Sequence, residues 1–365
     1  MDLSRLFGGV YAGRQALVTG HTGFKGSWLT YWLTRMGANV TGLSLDPDTD
    51  PCHWKLLSMS KVKDLRIDLR NADAVDAAIS ACQPEMIFHL GAQALVRRSY
   101  RDPVGTFSAN VMGLVNLFES VRRCPSVRVV VNATTDKVYA DAAAHAGYRE
   151  SDPLGGHDPY STSKACAELV SDSYRKSYFG GDDGRGFQVR LATARAGNVI
   201  GGGDWAEDRL VPDLVRANHS GQALNIRHPG ATRPWQHVLE PLSGYLRLGQ
   251  LLWDSERFAS AWNFGPDVSG EISVQALASR FGQYWPGLSM ETDASNHPHE
   301  AAALRLNSER ALQELAWRPV WDVETAIQRT AAWYQSFSET GQLHTGDDLG
   351  AYVGKAGDQG VAWAA

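Results

Sequence analysis

The residues with the clearest chemical potential stand in the stretch TTDKVY, at positions 134–139. Thr135, Asp136 and Lys137 place a hydroxyl, a carboxylate and an amine in a row. A carboxylic acid and a neutral amine can give and take protons when their pKa values lie near the working pH. The alternative is an exposed loop in which the neighbouring charges pair with each other. The residue types alone leave both interpretations open.

A second pair of reactive groups follows in PYSTSKACAEL. Tyr160 and Lys164 are four residues apart, so a helix would carry both side chains on one face, one turn from each other. A lysine ammonium lowers the pKa of a neighbouring phenol, which would make Tyr160 a usable base near neutral pH. The same spacing also occurs by chance on surface helices, so Tyr160 and Lys164 indicate a catalytic pair only in combination with other motifs.

A glycine-rich turn near the N-terminus predicts a nucleotide-binding loop. The apolar run QALVTG continues into GHTGFKG, with Gly20, Gly23 and Gly26 ahead of a helical pattern. Glycines at such a turn let a pyrophosphate approach the backbone N–H groups at the start of a helix. An ordinary turn between a strand and a helix would account for the same glycines.

Strands alternating with helices must position these groups. Short apolar runs typical of buried strands cover 15–20, 38–45, 85–92, 127–134 and part of 186–201, and helical spacing fills most of the intervals. This alternation predicts an α/β fold with a doubly wound parallel (Rossmann) sheet. TTDKVY would then follow the carboxyl end of a strand in that sheet.

Changes of pattern along the chain predict two lobes and a tail. We expect a NAD-binding Rossmann domain over 1–190, with a later segment at about 235–265 returning to it, and a smaller substrate-binding α/β lobe over 191–345. Residues 346–365 are rich in glycine and alanine, which predicts a flexible tail or a weakly packed extension.

Composition limits the class of protein. The 365 residues are 43% hydrophobic and 21% charged, with a net charge of −5, which fits a globular protein and gives no basic face for nucleic acid. The four cysteines are scattered, so we expect free thiols in a reducing compartment and no metal site. With no signal peptide and no apolar run long enough for a membrane span, the expected location is the cytoplasm.

The glycine turn, TTD and Y-x-x-x-K occur in the order that resembles the extended short-chain dehydrogenase/reductase (NAD-dependent epimerase/dehydratase) family, from residue 14 to about 335. The segments GHTGFKGSWL, TTDKVY, ARAGNVIGGGDWAEDRLVPD and ATRPWQHVLEPLSGYL resemble most closely the members that act on CDP-glucose. These members carry Asp-Lys where relatives acting on dTDP-glucose or GDP-mannose end in Glu. Thr134-Thr135 replaces the usual Thr-Ser, and alanines replace the more polar family loop in ADAAAHAGYRE.

The resemblance implies an intramolecular redox dehydration of a nucleotide-sugar, with oxidation at C4, loss of water across C5 and C6, and hydride return to C6. It gives Tyr160 the proton of the 4-OH, with Lys164 lowering the tyrosine pKa and Thr135 bonding the same hydroxyl. Asp136 would protonate the departing 6-OH. Lys137 would remove the C5 proton, for which its amine must be neutral.

The resemblance also implies the binding residues. NAD would contact Gly20, Thr22, Gly23, Phe24, Lys25, Gly26, Ser44, Asp68, Leu69, Leu90, Ala92, Gln93, Tyr160 and Lys164. NAD is expected rather than NADP because no arginine follows the second strand to meet a 2′-phosphate. CDP-glucose would contact Gln93, Asn198, Arg209, Arg233, His237 and His299, although His237 has a core role as its alternative.

Two other functions remain open from the sequence. A nucleotide-sugar 4-epimerase of the same family needs Tyr160 and NAD but no acid and base for elimination. A non-catalytic NAD-binding scaffold needs neither Tyr160 nor Lys164. The long helices predicted over 110–124 and 160–178 favour a homodimer or homotetramer, as in relatives.

Overall fold

The computed structural model describes residues 2–140, 147–180, 188–267, 270–285, 288–292 and 305–365. Its strands are β1 Gln15–Thr19, β2 Asn39–Ser44, β3 Lys63–Arg66, β4 Met86–His89, β5 Val129–Ala133, β6 Arg190–Ala196, β7 Val199–Ile200, β8 Leu224–Ile226, β9 Thr232–Pro234, β10 Gln236–His237, β11 Ala261–Phe264, β12 Glu271–Ser273 and β13 Met290–Thr292.

The α-helices are α1 Phe24–Arg35, α2 His53–Leu57, α3 Ala72–Cys82, α4 Val96–Arg101, α5 Pro103–Phe107, α6 Gly113–Arg122, α7 Pro159–Tyr174, α8 Leu210–Ser220, α9 Leu239–Asp254, α10 Val274–Gly282, α11 Glu309–Leu315, α12 Val323–Thr340 and α13 Thr345–Asp358. Short 3-10 helices cover Leu3–Gly9, Asp136–Val138 and Glu256–Phe258, and π-helical turns cover Ser108–Met112 and Arg175–Phe179. Within the described ranges, no helix is long and apolar enough to cross a membrane.

A seven-stranded sheet in the order β11-β6-β5-β4-β1-β2-β3 forms the main architecture. Its neighbouring strands all run parallel. Parallel strands place their carboxyl ends at one edge, so the loops after β1, β4 and β5 meet there. The predicted doubly wound Rossmann sheet is confirmed.

Helices cover both faces of this sheet. On one face, side chains of α1, α9 and α13 join the largest apolar cluster, which includes Trp28 and Leu242. On the other face, α3, α6 and α7 contribute Ile79, Leu117 and Ala167 to a second cluster. β5 is buried throughout its length, which explains why its sequence is nearly continuous in valine.

A third apolar cluster joins α8, α10 and α12, and it includes Leu214, Phe281 and Trp333. These helices lie within the segment predicted as the second lobe. β6 and β11, however, belong to the main sheet, so that sheet continues to Ala196. The division of the chain near residue 190 stays a prediction.

The expectation of a flexible or weakly packed tail at 346–365 is wrong. Most of this segment lies in α13, and Leu349, Tyr352, Val353 and Ala356 on it are buried in the largest apolar cluster. Their spacing is helical, but the glycines between them disfavour a helix, so the sequence pattern did not predict one. Beyond α13, the fully buried Trp363 ring stacks on Phe7 at 5.0 Å between ring centroids.

Candidate active site

The end of β5 and the start of α7 bring Thr135, Asp136 and Tyr160 together. The Thr135 hydroxyl donates to Asp136 Oδ1 over 3.0 Å, and the Thr135 side chain also stabilises the ionised form of the Tyr160 phenol. The three residues are 6%, 2% and 8% exposed. The alternative of an exposed charged loop is therefore excluded for Asp136.

Asp136 has a free oxygen in a buried position. Its Oδ2 atom has no hydrogen-bond partner among the described residues. A Cβ atom on Gly197 would lie 3.0 Å from this oxygen, so glycine at 197 keeps the space beside the carboxylate open. A buried polar atom without a partner is rare and commonly marks a place for a ligand or water.

Lys137 follows in the same short 3-10 helix, and its side chain is half-buried. Its backbone N–H reaches Thr135 Oγ1 at 3.4 Å, so the turn orients the threonine. The role of the Lys137 amine as the C5 base stays a prediction.

Tyr160 and Lys164 lie in the first two turns of α7. The helix begins at Pro159, and the Asp158 carboxylate caps it by accepting the Ser161 N–H at 3.0 Å. Lys164 is 5% exposed and donates from Nζ to the Ala133 carbonyl at 3.0 Å, at the end of β5. This bond ties α7 to the strand that precedes TTDKVY.

The pKa values of the pair differ from the expected ones. Burial raises the pKa of Tyr160 to about 12, although the Thr135 hydrogen bond and the Arg209 charge oppose it. Burial lowers the pKa of Lys164 to about 8, while Glu168 opposes that change. The expected lowering of the Tyr160 pKa is wrong for the protein alone, because loss of solvation outweighs the neighbouring cations.

The glycine loop after β1 fits a dinucleotide pyrophosphate. Gly20 has φ +74°, and a Cβ atom there would lie 2.7 Å from the Gly91 nitrogen. A Cβ atom on Gly26 would lie 2.0 Å from the Gly20 carbonyl oxygen. Gly23 is the N-cap of α1 and carries no side chain. The first N–H groups of α1 are thus left for an anionic group.

His21 of this loop is buried, with Nε2 2.9 Å from Asp64 Oδ1. It lies across the strand edge beside Gly42, where a Cβ atom would approach the ring to 2.3 Å. His21 thus fixes the loop against β2 rather than capping α1.

The end of β2 departs from expectation. Ser44 Oγ lies 2.8 Å from Thr22 Oγ1, so these two predicted cofactor residues contact each other. Arg66 of β3 pairs with Ser44 in the sheet, and its guanidinium binds Asp64 and the Leu45 carbonyl. The expectation that no arginine lies near this strand end is wrong, because the arginine comes from the neighbouring strand.

Asp68 follows β3 by two residues instead of ending it. Its carboxylate accepts from Arg70 at 2.6 Å, and that hydrogen bond is the main cause of its lowered pKa. Leu69 packs against Gly91, where an added Cβ would come within 2.7 Å of Leu69 Cδ1. The NAD contact expected of Asp68 stays a prediction.

The loop after β4 contains the predicted residues Leu90, Ala92 and Gln93. The Leu90 N–H bonds to the Thr19 carbonyl of β1 at 3.1 Å, which joins this loop to the glycine loop. The Gln93 amide is occupied within the loop, by the Leu95 N–H and carbonyl and by Thr106. These bonds hold residues 90–93 beside β1 and α5.

Among the predicted substrate residues, Arg209 and Asn198 border the cluster. Arg209 is partly exposed, donates to Asp204 at 2.9 Å, and interacts electrostatically with Tyr160. Asn198 is half-buried beside β7, and its carbonyl accepts the Gln236 N–H at 3.2 Å.

The other predicted substrate residues are buried or lie outside the described residues. Arg233 is 4% exposed on β9 and donates to the Thr232 carbonyl. His237 is fully buried, with its ring 4.9 Å from Trp321 and 5.9 Å from Trp28, and burial lowers its pKa to about 3. The structure thus favours the core alternative for His237. His299 lies outside the described residues.

Asn110 was not predicted from the sequence. Its side chain accepts the Gln93 N–H at 2.8 Å and donates to the Gln93 carbonyl at 3.0 Å and to Ser163 at 2.9 Å. It therefore positions the loop after β4 against α7. Asn110 is a polar residue at the start of the apolar helical pattern of residues 110–124, and that contrast was the available signal.

A buried ion pair behind the site was also not predicted. Glu168 accepts from Thr134 at 2.5 Å, Thr193 at 2.7 Å and Arg195 at 2.9 Å. These residues come from α7, from β6 and from the position after β5, so Glu168 holds the three elements together. Glu168 follows Lys164 by one helical turn, but its partners are distant in sequence.

Tyr245 of α9 also reaches the site from the opposite side. It is fully buried, and its hydroxyl has no hydrogen-bond partner among the described residues. Burial raises its pKa, with smaller contributions from Tyr160 and Asp136. Nothing in the sequence pattern of α9 distinguishes this residue from the apolar residues around it.

Comparison with known proteins agrees with this geometry. Residues 16–253 match the NAD dependent epimerase/dehydratase family. The chain is 44% identical over 330 residues to a CDP-glucose 4,6-dehydratase of Salmonella typhimurium, covering 90% of this chain and 92% of the relative. It is 27% identical to a UDP-glucose 4-epimerase of Mycolicibacterium smegmatis, over 89% of this chain and all of the relative.

Two solved structures share the fold. An epimerase from Methanothermobacter thermautotrophicus has a TM-score of 0.81 at 22% identity, covering 93% of this chain and 96% of that one. A dTDP-glucose 4,6-dehydratase from Bacillus anthracis, solved in complex with NAD, has a TM-score of 0.72 at 21% identity, with coverages of 89% and 97%. The chain belongs to the NAD-dependent epimerase/dehydratase family.

Proposed function

We propose that this protein is a CDP-glucose 4,6-dehydratase, which converts CDP-glucose to CDP-4-keto-6-deoxyglucose and water. The observation that carries the proposal is the buried Asp136, which accepts a hydrogen bond from Thr135, precedes Lys137 and interacts electrostatically with Tyr160. An acid and an amine at this place supply what elimination requires beyond C4 oxidation. The extensive similarity to the Salmonella enzyme supports CDP-glucose as the substrate.

Tyr160 removes the proton of the sugar 4-OH in the first stage. Thr135 stabilises the ionised form of the same phenol, as a hydroxyl that can donate to the phenolate does. Arg209 favours the ionised phenol by its charge, and Lys164 fixes α7 against the end of β5. NAD, when bound along the glycine loop, supplies the reversible acceptor for the hydrogen that leaves C4 and is later returned to C6.

Elimination follows from the C4 ketone, because a ketone makes the neighbouring C5 proton acidic. Lys137 removes that proton, and Asp136 gives a proton to the departing 6-OH. Asp136 Oδ2 has no partner among the described residues, so an acidic proton on this oxygen would face the open space. Because the C5 proton is acidic only when C4 is a ketone, water is lost only after oxidation.

The substrate diphosphate is assigned to Arg209 and Arg233, since guanidinium groups bind phosphate oxygens with two parallel hydrogen bonds. Asn198 lies between β6 and β7, where it can meet the sugar or the diphosphate. His299 is assigned to the nucleotide on the resemblance alone.

The test is to incubate the purified protein with CDP-glucose and to follow the alkaline absorbance of the 4-keto product, with dTDP-glucose and UDP-glucose as controls. We expect product from CDP-glucose. Turnover of dTDP- or UDP-sugars without CDP-glucose would contradict the substrate. Formation of CDP-galactose would instead establish the 4-epimerase. Binding of NAD without turnover of any nucleotide-sugar would establish the non-catalytic scaffold.

We also propose that the protein works as a homodimer or homotetramer. Val104 on α5, Met112 in the π-helical turn and Leu169 on α7 are 78%, 52% and 59% exposed. Helices α6 and α7 can pair with those of a second copy. Light scattering at micromolar concentration tests this: we expect a dimer or tetramer that Leu169→Glu dissociates, and a monomeric wild-type protein would contradict it.

The cellular setting is likewise a proposal. Dehydration of CDP-glucose in the cytoplasm would supply a deoxysugar precursor for O-antigen or other lipopolysaccharide assembly. Fractionation of the source cells, with the dehydratase activity in the cytosolic fraction, is the expected result. Activity in the membrane or in a secreted fraction would contradict this location.

A further inference from the structure

A path of buried hydrogen bonds joins the start of α13 to the first turn of α1. His53 of α2 lies at its centre, with Nδ1 2.8 Å from Ser27 Oγ and Nε2 2.8 Å from Thr345 Oγ1. Trp333 Nε1 reaches Thr345 Oγ1 at 3.1 Å, and Ser27 Oγ reaches the Phe24 carbonyl at 2.9 Å. The four side chains of this path are each no more than 2% exposed. The path therefore crosses the protein interior from α12 and α13, through α2, to α1.

The hydrogen bonds of this path run in one direction. The Trp333 indole N–H can only donate, so Thr345 Oγ1 accepts it, and the acceptor for the Thr345 proton within the described part of the chain is His53 Nε2. The neutral imidazole then carries its proton on Nδ1 and donates it to Ser27 Oγ. Ser27 in turn donates to the Phe24 carbonyl. The opposite tautomer of His53 would leave the Thr345 proton buried without an acceptor, which folded proteins avoid.

The surroundings of His53 keep its ring neutral and in place. Burial lowers the pKa of His53 to about 3, so the imidazole is uncharged at neutral pH. Its ring centroid lies 5.1 Å from that of Trp28 and 5.8 Å from that of Trp333. A Cβ atom on Gly203 would lie 2.5 Å from His53 Cγ, so the backbone after β7 closes another side. His53 thus presents one fixed donor to α1.

This donor acts on the part of α1 that a pyrophosphate approaches. The Ser27 backbone N–H bonds to the Gly23 carbonyl at 2.9 Å, and the Ser27 hydroxyl bonds to the Phe24 carbonyl. Ser27 therefore closes the first turn with its backbone and with its side chain, while the first N–H groups of the helix stay available to an anion. Binding costs less when a site already has its bound shape, so a fixed Ser27 favours the cofactor.

We propose that His53 is a positioning residue for NAD. Its Nδ1–H holds Ser27, and through Ser27 the first turn of α1, in the shape that receives the NAD pyrophosphate, and Thr345 of α13 sets the tautomer that donates. Thr345 lies beyond residues 16–253, which match the family, so the C-terminal helix becomes a support of the cofactor site. This role goes beyond the proposed function and requires only that NAD binds, so it does not depend on turnover of CDP-glucose.

Two variants of similar size separate the donor from the packing of the ring. An Asn side chain places its N–H₂ group near the position of Nδ1, whereas a Gln side chain places its amide near Nε2. NAD affinity, measured by titration calorimetry on the full chain, should fall about 10-fold in His53→Gln, the upper end of what one hydrogen bond contributes. His53→Asn should stay within about 2-fold of wild type, because it keeps a donor to Ser27. Both variants should have lowered melting temperatures, since both lose the ring. Equal NAD affinities in the two variants would overturn the proposal.

The role of Thr345 is tested by coupling it to His53. Thr345→Val should weaken NAD binding by about 3-fold, because His53 Nε2 loses its donor and the tautomer is no longer fixed. In the His53→Asn background the same change should have no further effect on NAD affinity, since an amide donor needs no second partner. An equal loss in both backgrounds would overturn the assignment of Thr345. His344→Gln is the control, because His344 precedes Thr345 but pairs with Asp347, and it should keep wild-type NAD affinity.

A third measurement does not depend on the stability of a variant. The histidines are labelled with ¹⁵N, and the His53 signals are assigned by their absence in His53→Asn. We expect a proton on Nδ1 and none on Nε2 at neutral pH, and a shift of the Nδ1 signal when NAD is added. A proton on Nε2, or His53 signals that saturating NAD leaves unmoved, would overturn the proposal. A protein that shows the expected signals and binds NAD but turns over no CDP-glucose would instead contradict the proposed function.

Discussion

Two threonines that are adjacent in the chain belong to two different buried polar clusters. The clusters differ in how fully their carboxylates are hydrogen-bonded. Thr134 belongs to the Glu168 cluster, which consists of Thr134, Glu168, Thr193 and Arg195. Thr135 belongs to the catalytic cluster, which consists of Thr135, Asp136 and Tyr160. Successive residues in extended backbone point to opposite sides, so two similar side chains enter different environments.

The two clusters differ in the number of hydrogen bonds that their carboxylates, Glu168 and Asp136, accept. Glu168 accepts three hydrogen bonds, including one from a buried guanidinium. Asp136 accepts one at Oδ1 and leaves Oδ2 unpartnered among the described residues. A fully bonded buried carboxylate stabilises a fold, whereas an incompletely bonded one is held ready for a ligand at some cost in stability. The predictions below test this contrast.

The largest expected effect is on turnover in Tyr160→Phe. Removing the phenol leaves no group to take the 4-OH proton, so kcat should fall by about 10⁴-fold, at the upper end of general base catalysis. The melting temperature and NAD binding should stay near wild type, because the phenol bonds only within the catalytic cluster. Turnover that survives this change would show that another group is the base.

Glu168→Gln should break the other cluster. It leaves Arg195, whose side chain is 4% exposed, without its buried counter-charge, and such losses cost about 3–5 kcal/mol of unfolding free energy. Urea unfolding measures this directly. Asp172→Asn, which removes a partly exposed partner of Arg175, is the control and should cost less than about 1 kcal/mol. Equal losses in the two variants would refute the structural assignment of Glu168.

Asp136→Asn should lower kcat by about 100-fold while the unfolding free energy stays the same or rises. Asn keeps an acceptor for Thr135 but cannot give a proton to the 6-OH. A destabilisation comparable to that of Glu168→Gln would show that Asp136, too, is chiefly a structural residue.

The smallest expected effect concerns Asp348 of α13. Like Asp136, it is a buried carboxylate with an oxygen that lacks a partner among the described residues, but it lies far from the catalytic residues in the sequence. It is 2% exposed, its Oδ2 lacks a partner in the described ranges, and Arg329 approaches Oδ1 at 3.6 Å. Burial raises its pKa to about 7 from 3.8. The folded state therefore favours the protonated acid, and this contribution is full below pH 3.8 and is lost as the pH rises through 7.

Asp348→Asn should remove that part of the pH dependence without changing kcat. Relative to wild type, its unfolding free energy should gain about 2.6 kcal/mol between pH 5 and pH 8. Urea unfolding at both pH values measures the difference. A parallel pH dependence of the unfolding free energy in wild type and variant would contradict the raised pKa. A loss of kcat would show that Asp348 also contributes to catalysis.

The sheet was predictable from the sequence because its strands are short, apolar and punctuated by glycine, as in QALVTG before the nucleotide loop. Tyr160, Lys164, Thr135 and Asp136 were also predictable, because their order along the chain matches a family pattern. Asp158 and Pro159 mark the start of α7 by ordinary helix-capping rules. Local patterns were sufficient for these features.

The remaining features depend on contacts between distant segments. Glu168 of α7 pairs with Arg195 of β6, and Arg66 of β3 lies beside the end of β2. Tyr245 of α9 interacts electrostatically with Asp136. The pKa of Tyr160 is set by burial, which no single motif encodes. α13 was missed because its glycines weigh against a helix, whereas its apolar spacing and its contact with Glu240 through the Tyr352 hydroxyl hold it in place.

The most direct test of the central claim follows the hydrogen on C4. CDP-glucose carrying deuterium at C4 is converted in ordinary water, and the product is examined by NMR. The account predicts that the deuterium appears at C6 of CDP-4-keto-6-deoxyglucose and that the same reaction in D₂O places solvent deuterium at C5. Deuterium that stays at C4 in an epimerised sugar, or that is lost to solvent, would contradict it.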